Sequence, residues 1–175
     1  MNFAGAYRFV GRTDISHLKS RVVALSETDW NAYGARQKRF EVHKDTSTIP
    51  LLYDEDFRHE NPTPSPMYGA LRNEIEPILT IVRRHYDTSL AARRLQEKNG
   101  PAYPIRIILT RLSPGGVIPP HMDAGFSLTH AHRIHLPIVS RETVGFRVDG
   151  IDKHLAEGEL WEINNRRVHA VRNLG

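Results

Sequence analysis

An α+β fold is predicted for this 175-residue chain, with helices concentrated before residue 100 and short strands after it. Two observations predict it. Apolar residues recur at helical spacing over 15–25 and 67–86, and from Pro101 onward the texture becomes short strand-like runs separated by Gly and Pro. Helices first and strands second predict a sandwich or jelly roll carrying helices packed against it. Neither a linker nor an internal repeat interrupts the chain, so one domain over 1–175 is expected, with a helical and mixed part at 1–100 and a jelly-roll half at 101–175.

In order, Tyr7–Val10 reads as a strand. Asp14 or Ser16 caps a helix from Ile15 to Leu25, with Ile15, Leu18, Val22 and Leu25 on one face and Ser26–Thr28 ending it. Arg36–Val42 and Thr48–Tyr53 read as strands. Residues 54–66 read as a loop, because Pro62, Pro64 and Pro66 stop both helix and central strand. A helix is expected over Met67–Tyr86 with Leu71, Ile75, Ile78, Leu79 and Val82 as its stripe. A shorter one, Leu90–Glu97, stops at Asn99-Gly100. The later strands are Ile105–Leu112, Gly116–Ile118, Arg133–Val139, Gly145–Val148, Glu159–Ile163 and Val168–Val171. Turns are expected at 113–116, Asp149-Gly150 and Glu157-Gly158.

Composition excludes several functions. There is no Cys, which removes disulfides, thiolate zinc sites and thiol catalysis. The net charge of +4 is spread along the chain without a run of five or more like charges, so no nucleic-acid partner is expected. Neither a membrane-length apolar run nor a signal-peptide core is present, so no membrane partner is expected and the cytoplasm is the default location.

Six of the ten His fall in the last third. His121 and Asp123 stand two apart in Pro-Pro-His-Met-Asp, which on a strand puts both on one face. His169 follows 48 positions later, after the strand Glu159–Ile163. Two His and one carboxylate with open positions opposite is the ligand set of non-heme Fe(II) oxygenases. A lone His-x-Asp is commonly a surface pair; here Pro119-Pro120 fixes the approach to it. Arg133 and His135 form a second feature, because alternation turns both to one side of a strand, where a planar guanidinium can hold a carboxylate. His130 and His132 read as solvated loop residues, and His17, His43, His59, His85 and His154 as surface. Trp161 reads as core, and Asn164 and Asn165 as turn formers.

Three segments in this order resemble the aspartyl/asparaginyl β-hydroxylase family and its relatives, the bacterial proline hydroxylases. They are Thr110-Arg-Leu-Ser-Pro-Gly-Gly-Val-Ile-Pro-Pro-His-Met-Asp, then Arg133-Ile-His-Leu-Pro-Ile, then Gly158-Glu-Leu-Trp-Glu-Ile-Asn-Asn-Arg-Arg-Val-His169. The resemblance covers about 101–175. It implies a double-stranded β-helix of the cupin-like jelly-roll kind, with Fe(II), 2-oxoglutarate as co-substrate, and O2. It implies His121 and His169 as iron ligands, Asp123 as the carboxylate ligand of the proline-hydroxylase branch, and Arg133, His135 and Thr110 as co-substrate contacts. The family pattern continues into a strand bearing an Arg for the co-substrate. The sequence stops at Gly175, so either that strand is missing or Arg172 or Arg133 takes its role.

The expected reaction is hydroxylation of an unactivated C–H of an amino-acid side chain, either peptidyl Asp or Asn or a free amino acid or small metabolite. Its substrate-facing residues are expected in 61–66, 36–43 and 125–132. The alternative is a non-catalytic cupin-like module that binds metal and dicarboxylate. A nucleic-acid demethylase with the same iron chemistry is disfavoured by the even charge.

Overall fold

The computed structural model describes residues 3–33, 44–88 and 90–175. The strand expected at 36–42, the substrate-facing segment 36–43 and His43 lie outside them. The first part of the chain runs β1 (Tyr7–Arg12), α1 (Ser16–Val23), α2 (Glu27–Asn31), β2 (Thr46–Tyr53), β3 (Thr63–Pro64), α3 (Pro66–Ala70), α4 (Arg72–Asp87) and α5 (Leu90–Asn99). The second runs β4 (Ile107–Leu112), β5 (Val117–His121), α6 (Phe126–Thr129), β6 (Arg133–His135), β7 (Val144–Val148), β8 (Ile151–Lys153), β9 (Glu159–Ile163) and β10 (His169–Asn173).

The strands form three antiparallel sheets: β1-β9-β6, β5-β10-β7-β8 and β3-β2-β4. The α+β expectation holds in this form, and no closed barrel is made among the described residues. The larger core lies between the third sheet and the helices. Ile49, Leu51 and Leu109 meet Leu18, Val22, Trp30, Leu71 and Ile75 there. The first two sheets face each other over a smaller core of Ala6, Val148 and Ile163. The Tyr7 hydroxyl reaches across to the carbonyls of Phe146 and Ile151, each at 3.0 Å. Helix α4 covers the other face of the first sheet, so closely that a Cβ on Gly11 would meet Ile81 Cγ2 at 2.7 Å.

Local chemistry moved several expected boundaries. Ser26 starts a helix instead of ending one: its hydroxyl accepts from the Asp29 N–H while the Asp29 carboxylate accepts from the Ser26 N–H, a capping box. The helix expected over 67–86 is two helices broken at Leu71, whose φ of −106° and ψ of 12° leave the α region while its side chain is buried. The strand expected over 133–139 ends at His135, two residues before Pro137, which has no N–H to give a ladder. Asp149 and Gly150, at φ of 51° and 79°, make a two-residue hairpin turn, and the strand after it, β8, was not foreseen.

Candidate metal centre

His121 ends β5 and His169 begins β10, and the two are direct cross-strand partners. Their pairing depends on a bulge. Val171 faces Ile118 and Arg172 faces Val117, a register that would set Pro120 opposite His169. The register shifts by one between Val171 and His169, so residues 119 and 120 face Ala170 alone. Proline lacks the N–H that a regular ladder requires, and β5 is an edge strand, where a bulge is tolerated. The extra residue turns His121 to the same side as His169, the side facing the first sheet.

Both rings are oriented in the same way. The Nδ1–H of His121 donates to the Pro119 carbonyl at 2.8 Å, and that of His169 to the Arg167 carbonyl at 3.0 Å, each two residues back along the chain. A carbonyl only accepts, so each neutral ring keeps its lone pair on Nε2. The rings lie 4.3 Å apart between centroids. Asp123 follows His121, its N–H bonded to the Asn165 carbonyl at 3.3 Å. One carboxylate oxygen, Oδ2, accepts from Arg133 Nη1, and the other, Oδ1, lies 3.8 Å from His169 Nε2.

One ligand atom from each of His121, Asp123 and His169 lies within 4.8 Å of the others. Donors bonded to one ion at about 2.1 Å sit roughly 3–4 Å apart, so small side-chain rotations would close the group. The residues fit an ion for a further reason. His169 Nε2 is buried and makes no hydrogen bond, a costly state that a metal bond would relieve. Burial pushes the His169 pKa down, Arg133 and His121 push the same way, and these outweigh the Arg167 carbonyl and Asp123; the ring stays neutral, as a ligand must be. For Asp123 burial acts upward, yet the charge and hydrogen bond of Arg133, with His169 and His121, hold its carboxyl below the usual range.

Arg133 and His135 share the inward face of β6, opposite Ile163 and Trp161 of β9. Arg133 is engaged with Asp123, and the His135 ring meets Phe146 edge-on at 5.2 Å. Thr110 stands exposed on β4 opposite Thr48, in a different sheet from the ligand group. Arg172 alternates to the outward face of β10, opposite Gly145.

Other expectations change. His132 is not solvated: its Nδ1–H donates to buried Glu162 at 2.6 Å, and its ring lies 4.1 Å from Tyr86. His59, His85 and His154 are half-buried, whereas His17 and His130 are exposed as expected. Trp161 is half-buried between the facing sheets, against Phe9 and Lys153, and not in a closed core. Asn164 and Asn165 do form the turn, but both are buried. The Asn164 amide donates to the carbonyls of Phe3 and Gly5, and that of Asn165 to Leu128 at 2.7 Å. Asn165 therefore ties the loop after Asp123 to the turn before His169, a role that adjacency of two turn formers did not signal.

These features define an α+β protein with a His-Asp-His group that could hold a metal ion between two antiparallel sheets. The family model for aspartyl/asparaginyl beta-hydroxylase matches residues 90–175, the part of the chain that holds the whole ligand group. The family is one of hydroxylases, which makes the coarse class oxidoreductase. No curated protein matches the chain. No helix among the described residues is long and apolar enough to cross a membrane.

Proposed function

We propose that the chain is a single-domain Fe(II)/2-oxoglutarate-dependent dioxygenase that hydroxylates an unactivated C–H of an amino-acid side chain. The substrate is a peptidyl Asp or Asn, or a free amino acid or small metabolite, in the cytoplasm and without a nucleic-acid or membrane partner. The observation that carries this reading is the convergence of the His121, Asp123 and His169 ligand atoms, with both imidazoles held in the ligating tautomer by carbonyls two residues back along the chain. The two facing sheets are read as the walls of a double-stranded β-helix.

Bound at this group, Fe(II) with 2-oxoglutarate and O2 would supply the oxidation, turning one substrate C–H into C–OH with succinate and CO2 as co-products. The chain's own part is placement. His121 and His169 present Nε2 lone pairs, and Asp123 presents Oδ1 while Arg133 holds Oδ2. Three donors on one side leave the opposite positions for a keto acid and O2. His135 and Arg133 stand on the facing sheet, where a co-substrate carboxylate can be oriented. Partial neutralisation of Asp123 by Arg133 lowers the cost of keeping a carboxylate buried before the ion arrives.

Anaerobic titration with Fe(II) and then 2-oxoglutarate tests the reading through the metal-to-ligand absorption band. The band is expected in the natural chain and absent in His121→Ala, which should also make no succinate. Retained 2-oxoglutarate turnover in that variant would sink the assignment. A band without succinate in the presence of O2 and candidate substrates would favour a non-catalytic binding module.

A further inference from the structure

Between the facing sheets, side chains form a continuous row leading away from the ligand group. Arg133 and His135 stand on β6. His135 faces Trp161 across the β6–β9 ladder and touches Phe146 of the opposite sheet. Phe146 in turn is the register partner of Lys153 on β8, and Lys153 Nζ lies 4.0 Å over the Trp161 ring. The row therefore begins at Asp123–Arg133 and ends at a half-buried lysine whose ammonium lies on an indole face. Trp161 is anchored in turn, its Nε1–H donating to Glu159 at 3.0 Å while Glu159 also pairs with Arg12.

Lys153 differs from the other cations near the centre. Arg133 pairs with Asp123, Arg8 with Glu162 and Arg147 with Asp152, whereas among the described residues no carboxylate lies within ion-pair distance of Lys153. An ammonium held by a ring face, on a half-buried side chain, has unused donors. Its position suits a ligand that starts at the ligand group. His169 faces Val148, and Lys153 faces Phe146, so Lys153 is two strands across and two residues along from His169. That is roughly 10 Å across and 7 Å along the sheet. Lys153 cannot reach the ligand group itself, but a short dicarboxylate lying along the row would bring its far end toward the ammonium.

We propose that Lys153 is the cation that receives the far carboxylate of the dicarboxylate co-substrate, with Trp161 as the positioning residue that holds the ammonium in place. The proposal rests on the function proposed above. It divides the recognition of the co-substrate: the α-keto acid end goes to the metal side and Arg133, the distal carboxylate to Lys153.

The test compares two keto acids sharing one head group. 2-Oxoglutarate and 2-oxobutyrate are titrated anaerobically into the Fe(II)-loaded chain, and dissociation constants are read from the absorption band and by calorimetry. Lys153→Met is expected to weaken 2-oxoglutarate binding by about tenfold or more and to leave 2-oxobutyrate within about twofold, while Lys153→Arg keeps most of the affinity. Trp161→Leu should shift 2-oxoglutarate in the same direction by less. If Lys153→Met binds 2-oxoglutarate as the natural chain does, the lysine assignment fails and the proposed function stands. If both keto acids weaken alike, the lysine is structural and the assignment again fails. If the unaltered Fe(II)-loaded chain binds neither keto acid, the proposed function fails and takes this proposal with it.

Discussion

An arginine, a carboxylate and a histidine meet against each face of the first sheet, and the two sets behave in opposite ways. On the outward face, under α4, Arg8 and His132 both bond directly to buried Glu162, Arg8 Nε at 2.8 Å and His132 Nδ1 at 2.6 Å. On the inward face Arg133 bonds to Asp123, but His169 gives its N–H to a backbone carbonyl and stops 3.8 Å from the carboxylate. The outward set is saturated and holds the fold together. The inward set keeps lone pairs aimed at a common point. Residue type does not separate the two, and neither does the acceptor of Nδ1–H; the surroundings of the other ring nitrogen do. A histidine becomes available as a ligand where its free nitrogen converges with other donor atoms, as at His121, Asp123 and His169, whether its N–H goes to a carbonyl or to a carboxylate.

The same substitution should therefore give opposite results on the two faces. His169→Leu is expected to lower Fe(II) affinity by about a thousandfold. The metal-free chain should stay within about 1 kcal/mol of its original stability, because a lost backbone hydrogen bond is offset by removal of a buried, unbonded nitrogen. Metal titration and urea unfolding read the two effects; a large loss of metal-free stability would erase the contrast. His132→Leu should do the reverse, costing about 2 kcal/mol by urea unfolding and leaving Fe(II) affinity within about twofold.

A pH series sharpens the outward half. Burial pushes the Glu162 carboxyl up, but hydrogen bonds from His132 and Arg8 outweigh it and hold it below the usual range. A carboxyl depressed in the folded state stabilises fully above its unfolded value of about 4.3, and the contribution disappears as pH falls through the folded value. The urea midpoint should thus drop below about pH 4. Glu162→Gln should start lower near neutrality and fall less steeply; parallel curves would mean that Glu162 carries none of the slope. The smallest effect is expected at Asn165→Ala, about 1 kcal/mol in stability and up to about tenfold in metal affinity, because it loosens the loop after Asp123 without removing a ligand.

What could be read in advance follows the same division. His121, Asp123 and His169 were legible because the three segments occur in a known order; the strand alternation expected to place His121 and Asp123 on one face does not operate, since β5 ends at His121 and Asp123 stands in the loop after it. His132 was not. Its neighbours Thr129, His130 and Ala131 look like an exposed loop, and the partner that buries it is 30 residues away on β9. Trp161 looked like core because alternation reports which residues share a face and not whether the opposite sheet closes over it. Ser26 was misread because a polar Ser-Glu-Thr stretch after an apolar run looks like a stop, whereas Ser is a preferred helix start and the carboxylate at Asp29 completes its cap. The hairpin turn at Asp149-Gly150 was visible, while β8 beyond it is three residues long, too short to show a period.

The doubled proline before His121 makes chain length itself a functional variable. Residues 119 and 120 occupy the space of one. Deleting Pro120 would remove the surplus and leave His121 opposite His169 in an unbroken ladder, so the pair survives the loss of a residue. One residue added after Pro120, with the register up to Ile118 and the one-residue bulge both kept, would instead set His121 a position further along and turn it to the outward side, away from His169. Such an insertion would give an ordered protein with a complete inventory of candidate ligands and no place for them to meet.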